Sequence, residues 1–188
     1  GRGIPTTIVV GAKTKKTAEF IQNTFMSDVF RVYTSPDVLG IELGAALKNV
    51  VALAAGIADG LGYGDNTKAA LITRGIAEIS RLGIAMGAKE FTFSGLAGVG
   101  DLIVTCMSKH SRNNRFGRKV GQGMKISDAL QEVGTVEGYY AAEMAHELSV
   151  KYNVELPIVN EVYKVLYQNK DVCTVVSDLM NRPNKAEH

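Results

Sequence analysis

The stretch from residue 38 to 55, Val-Leu-Gly-Ile-Glu-Leu-Gly-Ala-Ala-Leu-Lys-Asn-Val-Val-Ala-Leu-Ala-Ala, constrains the fold more than any other part of the sequence. Small and apolar residues cover almost every face, and Leu43, Leu47 and Val51 recur at i, i+4 and i+8, the helical period. A helix that is apolar all round belongs in an interior. In its middle stands Lys48. A lysine so placed snorkels out, pairs with a carboxylate, or sits desolvated with a lowered pKa. The third arrangement is how a lysine becomes a general acid or base; a snorkelling structural lysine is the plain alternative.

The chain differs in character on the two sides of this helix's start. Residues 6–10 read as a strand, 13–26 as a helix with Ala18, Ile21 and Phe25 at spacings of three and four, and 30–34 as a second strand. That is a β-α-β unit. The character changes at Ser35-Pro36-Asp37, so a boundary is placed at residue 36, giving segments 1–36 and 37–188. Helices then succeed one another: 37–61; from Asp65 or Asn66 as N-cap to Gly87; 89–94; and 101–107, where helix is preferred over strand. After these come a helix capped by Ser111 and running to about Gly121, one over 127–133 capped by Ser127 and closed by Gly134, and three over 137–152, 157–168 and 172–181. Pro157 suits the first helical position. Ile72, Ile76, Ile79 and Gly83 form the core face of their helix, with Arg74, Glu78 and Arg81 on another face. The sequence opens without methionine and enters a strand almost at once, which reads as the middle of a longer chain. The last five residues read as a frayed tail.

Composition narrows the function classes. Hydrophobic content of 46% supports a sizeable core, and a net charge of +2 gives no whole-chain case for a nucleic-acid or anionic-membrane binder. Two cysteines, Cys106 and Cys173, both in apolar surroundings, argue for buried thiols in a reducing compartment. His110, His146 and His188 are far apart in sequence, with no Cys/His spacing for a metal. No apolar run reaches 18 residues, and the reading is soluble and cytoplasmic.

Four segments carry candidate chemistry. The glycine runs 60–64 and 95–100 lack the strand-to-helix context and the spacing of a dinucleotide phosphate loop, so they read as turns and close packing. Asp101 enters an apolar segment, either as an N-cap or as the carboxylate partner of Lys48. In Lys109-His110-Ser111-Arg112-Asn113-Asn114-Arg115-Phe116-Gly117-Arg118-Lys119, five cations occur without an acid. This is a solvated face, a phosphate-tracking face of a nucleic-acid-binding module, or, at Ser111-Arg112-Asn113, a helix start able to hold one small phosphate. The last reading fits the modest net charge better. Glu137 opens the next long helix, where the dipole favours an acid.

These segments, in this order, resemble bacterial NAD(P)-dependent glycerol-3-phosphate dehydrogenases. The resemblance is carried by Ile41-Glu42-Leu43-Gly44-Ala45-Ala46-Leu47-Lys48-Asn49-Val50, by 60–66 and 68–75, and by Gly98-Val99-Gly100-Asp101-Leu102. Ser111-Arg112-Asn113-Asn114-Arg115-Phe116-Gly117 and Val136-Glu137-Gly138-Tyr139 complete it. The resemblance implies a mainly α fold: a multi-helical domain of the 6-phosphogluconate dehydrogenase C-terminal-like type, preceded by a short β-α-β remnant of a Rossmann domain. It implies reversible reduction of dihydroxyacetone phosphate to sn-glycerol 3-phosphate, feeding glycerophospholipid synthesis. It also implies roles: Lys48 as proton donor and acceptor at the C2 oxygen; Lys48, Asp101, Ser111, Arg112 and Asn113 as substrate contacts; Arg112, Val136 and Glu137 as contacts to NAD or NADP, whose main site lies outside this chain. No nucleic-acid or membrane partner is expected, and a homodimer is one of the oligomeric states the sequence leaves open. Related 3-hydroxyacid or 6-phosphogluconate dehydrogenases are the nearest alternative. After Gly138 the chain departs from the family, reading Tyr139-Tyr140-Ala141-Ala142.

Overall fold

The computed structural model describes residues 2–183. It begins with β1 (Thr6–Gly11), α1 (Lys15–Phe25) and β2 (Phe30–Ser35). The two strands are parallel, in register from Thr6 opposite Phe30 to Gly11 opposite Ser35. Helix α1 is capped by Thr14 and tied to the sheet by the Gln22 side chain, which donates to the Val32 carbonyl at 2.7 Å.

Among the described residues every element after β2 is helical: α2 (Val38–Gly60), α3 (Asp65–Ala85), α4 (Glu90–Ser94), a π-helical turn (Leu96–Gly100) running straight into α5 (Asp101–Met107), α6 (Arg112–Gly121), α7 (Ile126–Val133), α8 (Glu137–Lys151), α9 (Pro157–Gln168) and α10 (Val172–Met180). Asp37 is the joint between the two parts. Its carboxylate caps α2 through Gly40 N–H at 3.1 Å and accepts from Lys89 N–H at 2.9 Å and the Thr92 hydroxyl at 2.5 Å, so it also holds the start of α4. Burial works to raise its pKa, but these hydrogen bonds outweigh burial and hold it below the usual carboxylate value.

Helix α2 is the axis of this part, and Val50 to Leu53 are fully enclosed. By length and composition it would span a membrane, yet 56% of its apolar window is covered by the surrounding helices, as in a core helix. Its tightest neighbour is α6, and glycine on both sides allows that approach. A Cβ at Gly56 would lie 2.2 Å from the Asn114 carbonyl oxygen, and one at Gly117 2.1 Å from that of Leu53. Backbone cannot move aside as a side chain can, so the two helices sit in near-direct main-chain contact. Asp59 locks the same crossing by taking Arg118 of α6 at 3.2 Å, and it ties in α3 by taking Lys68 at 2.7 Å.

Several expectations need correcting. Glu78 is not on a polar face; it is only 4% exposed. Its two carboxylate oxygens accept the N–H groups of Ile158 at 2.8 Å and Val159 at 3.2 Å, so α3 caps α9 from outside. Helix α9 needs that help because Leu156 offers no side-chain cap and Pro157 no N–H. Burial is the main cause that pushes the Glu78 carboxyl up to about 7. Neither Asp65 nor Asn66 caps α3: Gly64 holds that position and Asp65 is the first helical residue. Ser127 lies inside the first turn of α7, after Lys125 at the N-cap, with its hydroxyl turned to Asp128. Cys106 is buried as expected, its thiol pushed up to about 12 by desolvation, but Cys173 is exposed. Gly87 and Gly134 take the positive φ values, 98° and 84°, that helix ends ask of glycine. The expected tail, residues 184–188, lies outside the described residues.

Candidate functional site

Two features of the sequence meet at the N-terminal ends of α5, α6 and α8. The first is Lys48. Its ammonium forms an ion pair with Asp101 Oδ2, the two side chains being 20% and 39% exposed. Of the alternatives for a lysine in an apolar helix, the structure realises pairing, and of those for Asp101 it realises the lysine partner; Gly100 is the N-cap of α5. The Thr105 hydroxyl, one turn on, donates to the Asp101 carbonyl oxygen at 2.7 Å and lies 3.5 Å from Asp101 Oδ1. The pair is thus half wet and backed by a hydroxyl. An ammonium in that setting is free to exchange a proton with a bound group, while the carboxylate keeps it oriented.

The second feature is the start of α6. Ser111 is its N-cap and accepts from Asn114 N–H at 3.3 Å. The N–H groups of Arg112 and Asn113 have no helical carbonyl to donate to, and the positive end of the dipole lies with them. They open on a cleft of about 310 Å³ lined by Thr105, Ser108, His110, Ser111, Arg112, Asn113 and Glu137, together with Val104. The half-exposed Arg112 guanidinium reaches Glu137 at 3.5 Å. Lys48 is not on this wall. It adjoins the wall through Thr105, which is bound to Asp101, and through Asn49, its neighbour in α2.

Asn49 is the residue that sequence reasoning misses. Its amide donates to the Ala45 carbonyl at 3.2 Å and to Glu137 Oε2 at 3.3 Å, and its oxygen accepts from Asn113 Nδ2 at 2.9 Å. Asn113 Oδ1 in turn accepts from Gly138 N–H at 2.8 Å. A Cβ on Gly138 would stand 2.5 Å from the Asn49 carbonyl oxygen, so α8 begins directly against α2. The buried Asn113 side chain is therefore committed to the scaffold, and what it offers a ligand is its backbone N–H. The signal for Asn49 is the same as for Lys48, a polar side chain inside an apolar helix. Thr105, at i+4 from Asp101, is legible in the same way.

The expected cofactor contacts divide. Glu137 sits half-exposed at the first position of α8, held by Arg112 and Asn49, with an acid's geometry for a hydroxyl donor. Val136 is fully buried, main chain included, so it supports the start of α8 and presents no surface of its own to a cofactor. The residues present fit one edge of a dinucleotide and no more. In the basic stretch, Arg112, Arg118 and Lys119 are paired with Glu137, Asp59 and Glu132, which leaves few cations for a nucleic-acid backbone. Among the described residues no group of three metal-ligating side chains occurs.

Comparison with known proteins points one way. The family described as "NAD-dependent glycerol-3-phosphate dehydrogenase C-terminus" matches residues 37–177. A glycerol-3-phosphate dehydrogenase of Agathobacter rectalis, named for NAD(P)+, is 62% identical over 189 residues, covering 100% of this chain and 56% of the relative. Its counterpart in Fusobacterium nucleatum is 59% identical over 188 residues, with the same coverage of 100% and 56%. Among solved structures, glycerol-3-phosphate dehydrogenase from Coxiella burnetii superposes with a TM-score of 0.92 at 38% identity, over 96% of this chain and 56% of that one. The chain spans about half the length of the curated relatives it matches.

Proposed function

Because this chain belongs to the family of C-terminal domains of NAD-dependent glycerol-3-phosphate dehydrogenases, we propose that it is the substrate-holding part of an enzyme interconverting dihydroxyacetone phosphate and sn-glycerol 3-phosphate with NAD or NADP. In this reading residues 1–36 are the last piece of the dinucleotide-binding domain and 37–188 the substrate domain of a cytoplasmic enzyme that serves glycerophospholipid synthesis. The observation that carries it is the Lys48–Asp101 pair standing beside a cleft built on a capped helix start with an arginine in its first turn.

Each group then has a task. The substrate phosphate lies at the start of α6, taken by the Ser111 hydroxyl, the N–H groups of Arg112 and Asn113 and the Arg112 guanidinium. That remote anchor supplies binding energy that orients the reacting carbon. NADH or NADPH, when bound, would supply the hydride for C2, and NAD or NADP would accept it in the reverse direction. As negative charge gathers on the C2 oxygen, Lys48 stabilises it and delivers a proton; in the reverse direction it takes the proton back. Asp101 holds the ammonium on line throughout. Glu137 holds the near edge of the cofactor, with the buried Val136 fixing the start of its helix from behind.

The test is NADH- and NADPH-linked reduction of dihydroxyacetone phosphate by the whole protein. Lys48→Met is expected to lower kcat by about 10³-fold with cofactor affinity retained. A whole protein inactive on this substrate, or a variant with unchanged kcat, overturns the reading; a panel of 3-hydroxyacids and 6-phosphogluconate separates the related dehydrogenases.

A further inference from the structure

A second cavity, of about 790 Å³, opens between α2, α3, α9 and α10 and shares no lining residue with the cleft at α6. Its size falls in the range of small-molecule sites. The walls are largely aliphatic, with Ile57 from the far half of α2, Leu71 from α3, Val162 from α9 and Leu179 from α10.

The charges on its wall are nearly all spent. Arg81 donates to the Glu155 carbonyl oxygen and Arg182 pairs with the Glu155 carboxylate. Glu78 accepts two backbone N–H groups, and Glu161 takes Lys164 at 2.6 Å and Lys170 at 2.5 Å. Arg74, exposed at the edge, has no partner among the described residues. An aliphatic chamber with one uncommitted guanidinium at its edge is complementary to a ligand with a greasy body and one anionic end.

We propose that this cavity binds a single-tailed amphiphile with an anionic head, a long-chain carboxylate in the simplest case, its tail among the aliphatic walls and its head on Arg74. The inference stands apart from the dehydrogenase reading and would survive its failure. Should both hold, the ligand rests on the same helix that carries Lys48, since Ala54, Ile57 and Ala58 of α2 line the cavity.

The chain has no tryptophan, and Tyr63 lies on the cavity wall, so Tyr63→Trp gives a single fluorescent reporter. Titration with octanoate, decanoate and laurate is expected to be saturable and to tighten about 3- to 4-fold per added methylene. Arg74→Gln is expected to weaken laurate by about 5-fold while leaving dodecanol unchanged. Absence of saturable binding overturns the proposal, as does an Arg74→Gln variant that binds laurate as tightly as its parent. So does binding seen only in a chain shortened after Pro183, which makes the chain's own tail the occupant, or laurate release on self-association at raised protein concentration, which makes a second copy the occupant. If Tyr63→Trp does not fold, carbon-13-labelled laurate read by NMR against the unaltered chain answers the same questions.

Discussion

Asp101 and Glu78 are carboxylates in the same helical domain, each engaged with a helix other than its own. Asp101, at the first turn of α5, keeps a 39% exposed side chain and gives one oxygen to the ammonium of Lys48. Glu78, in the middle of α3, is 4% exposed and gives both oxygens to the main chain of α9. Its carboxyl is pushed up to about 7, chiefly by burial. A displaced pKa in a closed environment is often taken as the mark of a working group. Here it marks a cap that no other residue supplies, while the pair we propose for proton transfer is the one left accessible. What distinguishes them is whether a free face remains: Asp101 orients a cation that still has donors to give, whereas the oxygens of Glu78 are spoken for.

The largest expected effect comes from the scaffold that both groups depend on. Gly117→Val places a side chain where a Cβ already lies 2.1 Å from the Leu53 carbonyl oxygen, and main chain on both sides cannot yield. Stability is expected to fall by about 3 kcal/mol or more, measured by urea unfolding. A fall below about 1 kcal/mol would mean that the α2–α6 contact is softer than its geometry, and that Lys48 and Ser111 are less firmly related in space.

Glu78 gives the next effect, and its sign is fixed by the direction of its shift. A carboxyl ordinarily at 4.5 in the unfolded chain and at about 7 in the fold binds more protons when folded across that interval. Stability therefore decreases as pH rises from about 4.5 to 7 and is flat on either side, with a total of about 3 kcal/mol. Asp37 and Asp59, held below their ordinary values, act in the opposite direction and at lower pH. Glu78→Gln is expected to remove the slope between pH 5 and 7.5 in denaturant unfolding, since the amide oxygen still accepts an N–H but does not titrate. An undiminished slope assigns the titration to another group and removes the contrast with Asp101.

These two residues also show what the sequence makes legible. Lys48 and the Ser111 cap are readable because each is a local anomaly: a charge in an apolar helix, and a hydroxyl before a helical run. Pro157 and Gly134 are readable through backbone chemistry that a single residue dictates. Asp101 is readable only as a pair of alternatives, since a partner 53 residues away decides between them. Glu78 is misread because its partners, Ile158 and Val159, are 80 and 81 residues distant and are backbone groups, which leave no trace in side-chain pattern. The partners of the Asn113 side chain are hidden in the sequence for the same reason. In the fold it belongs to Asn49 and Gly138, and only the fold brings those three together.

Asp101→Asn carries the smallest effect and the sharpest form of the contrast. The amide keeps an oxygen for the Lys48 ammonium and fits the same space, so the geometry survives while the charge does not. An exposed or half-exposed ion pair is worth about 0–1 kcal/mol to a fold, so the melting temperature is expected to move by no more than about 2–3 °C. Orientation of the proton donor is another matter: kcat of the whole enzyme is expected to fall by about 10- to 100-fold, equivalent to about 1.4–2.7 kcal/mol in the barrier, with the KM for cofactor unchanged. A change at Asp101 then moves chemistry without stability, and one at Glu78 moves stability without chemistry. If Asp101→Asn instead lowers the melting temperature by about 5 °C or more with kcat intact, Asp101 is a second structural carboxylate and Lys48 works without it.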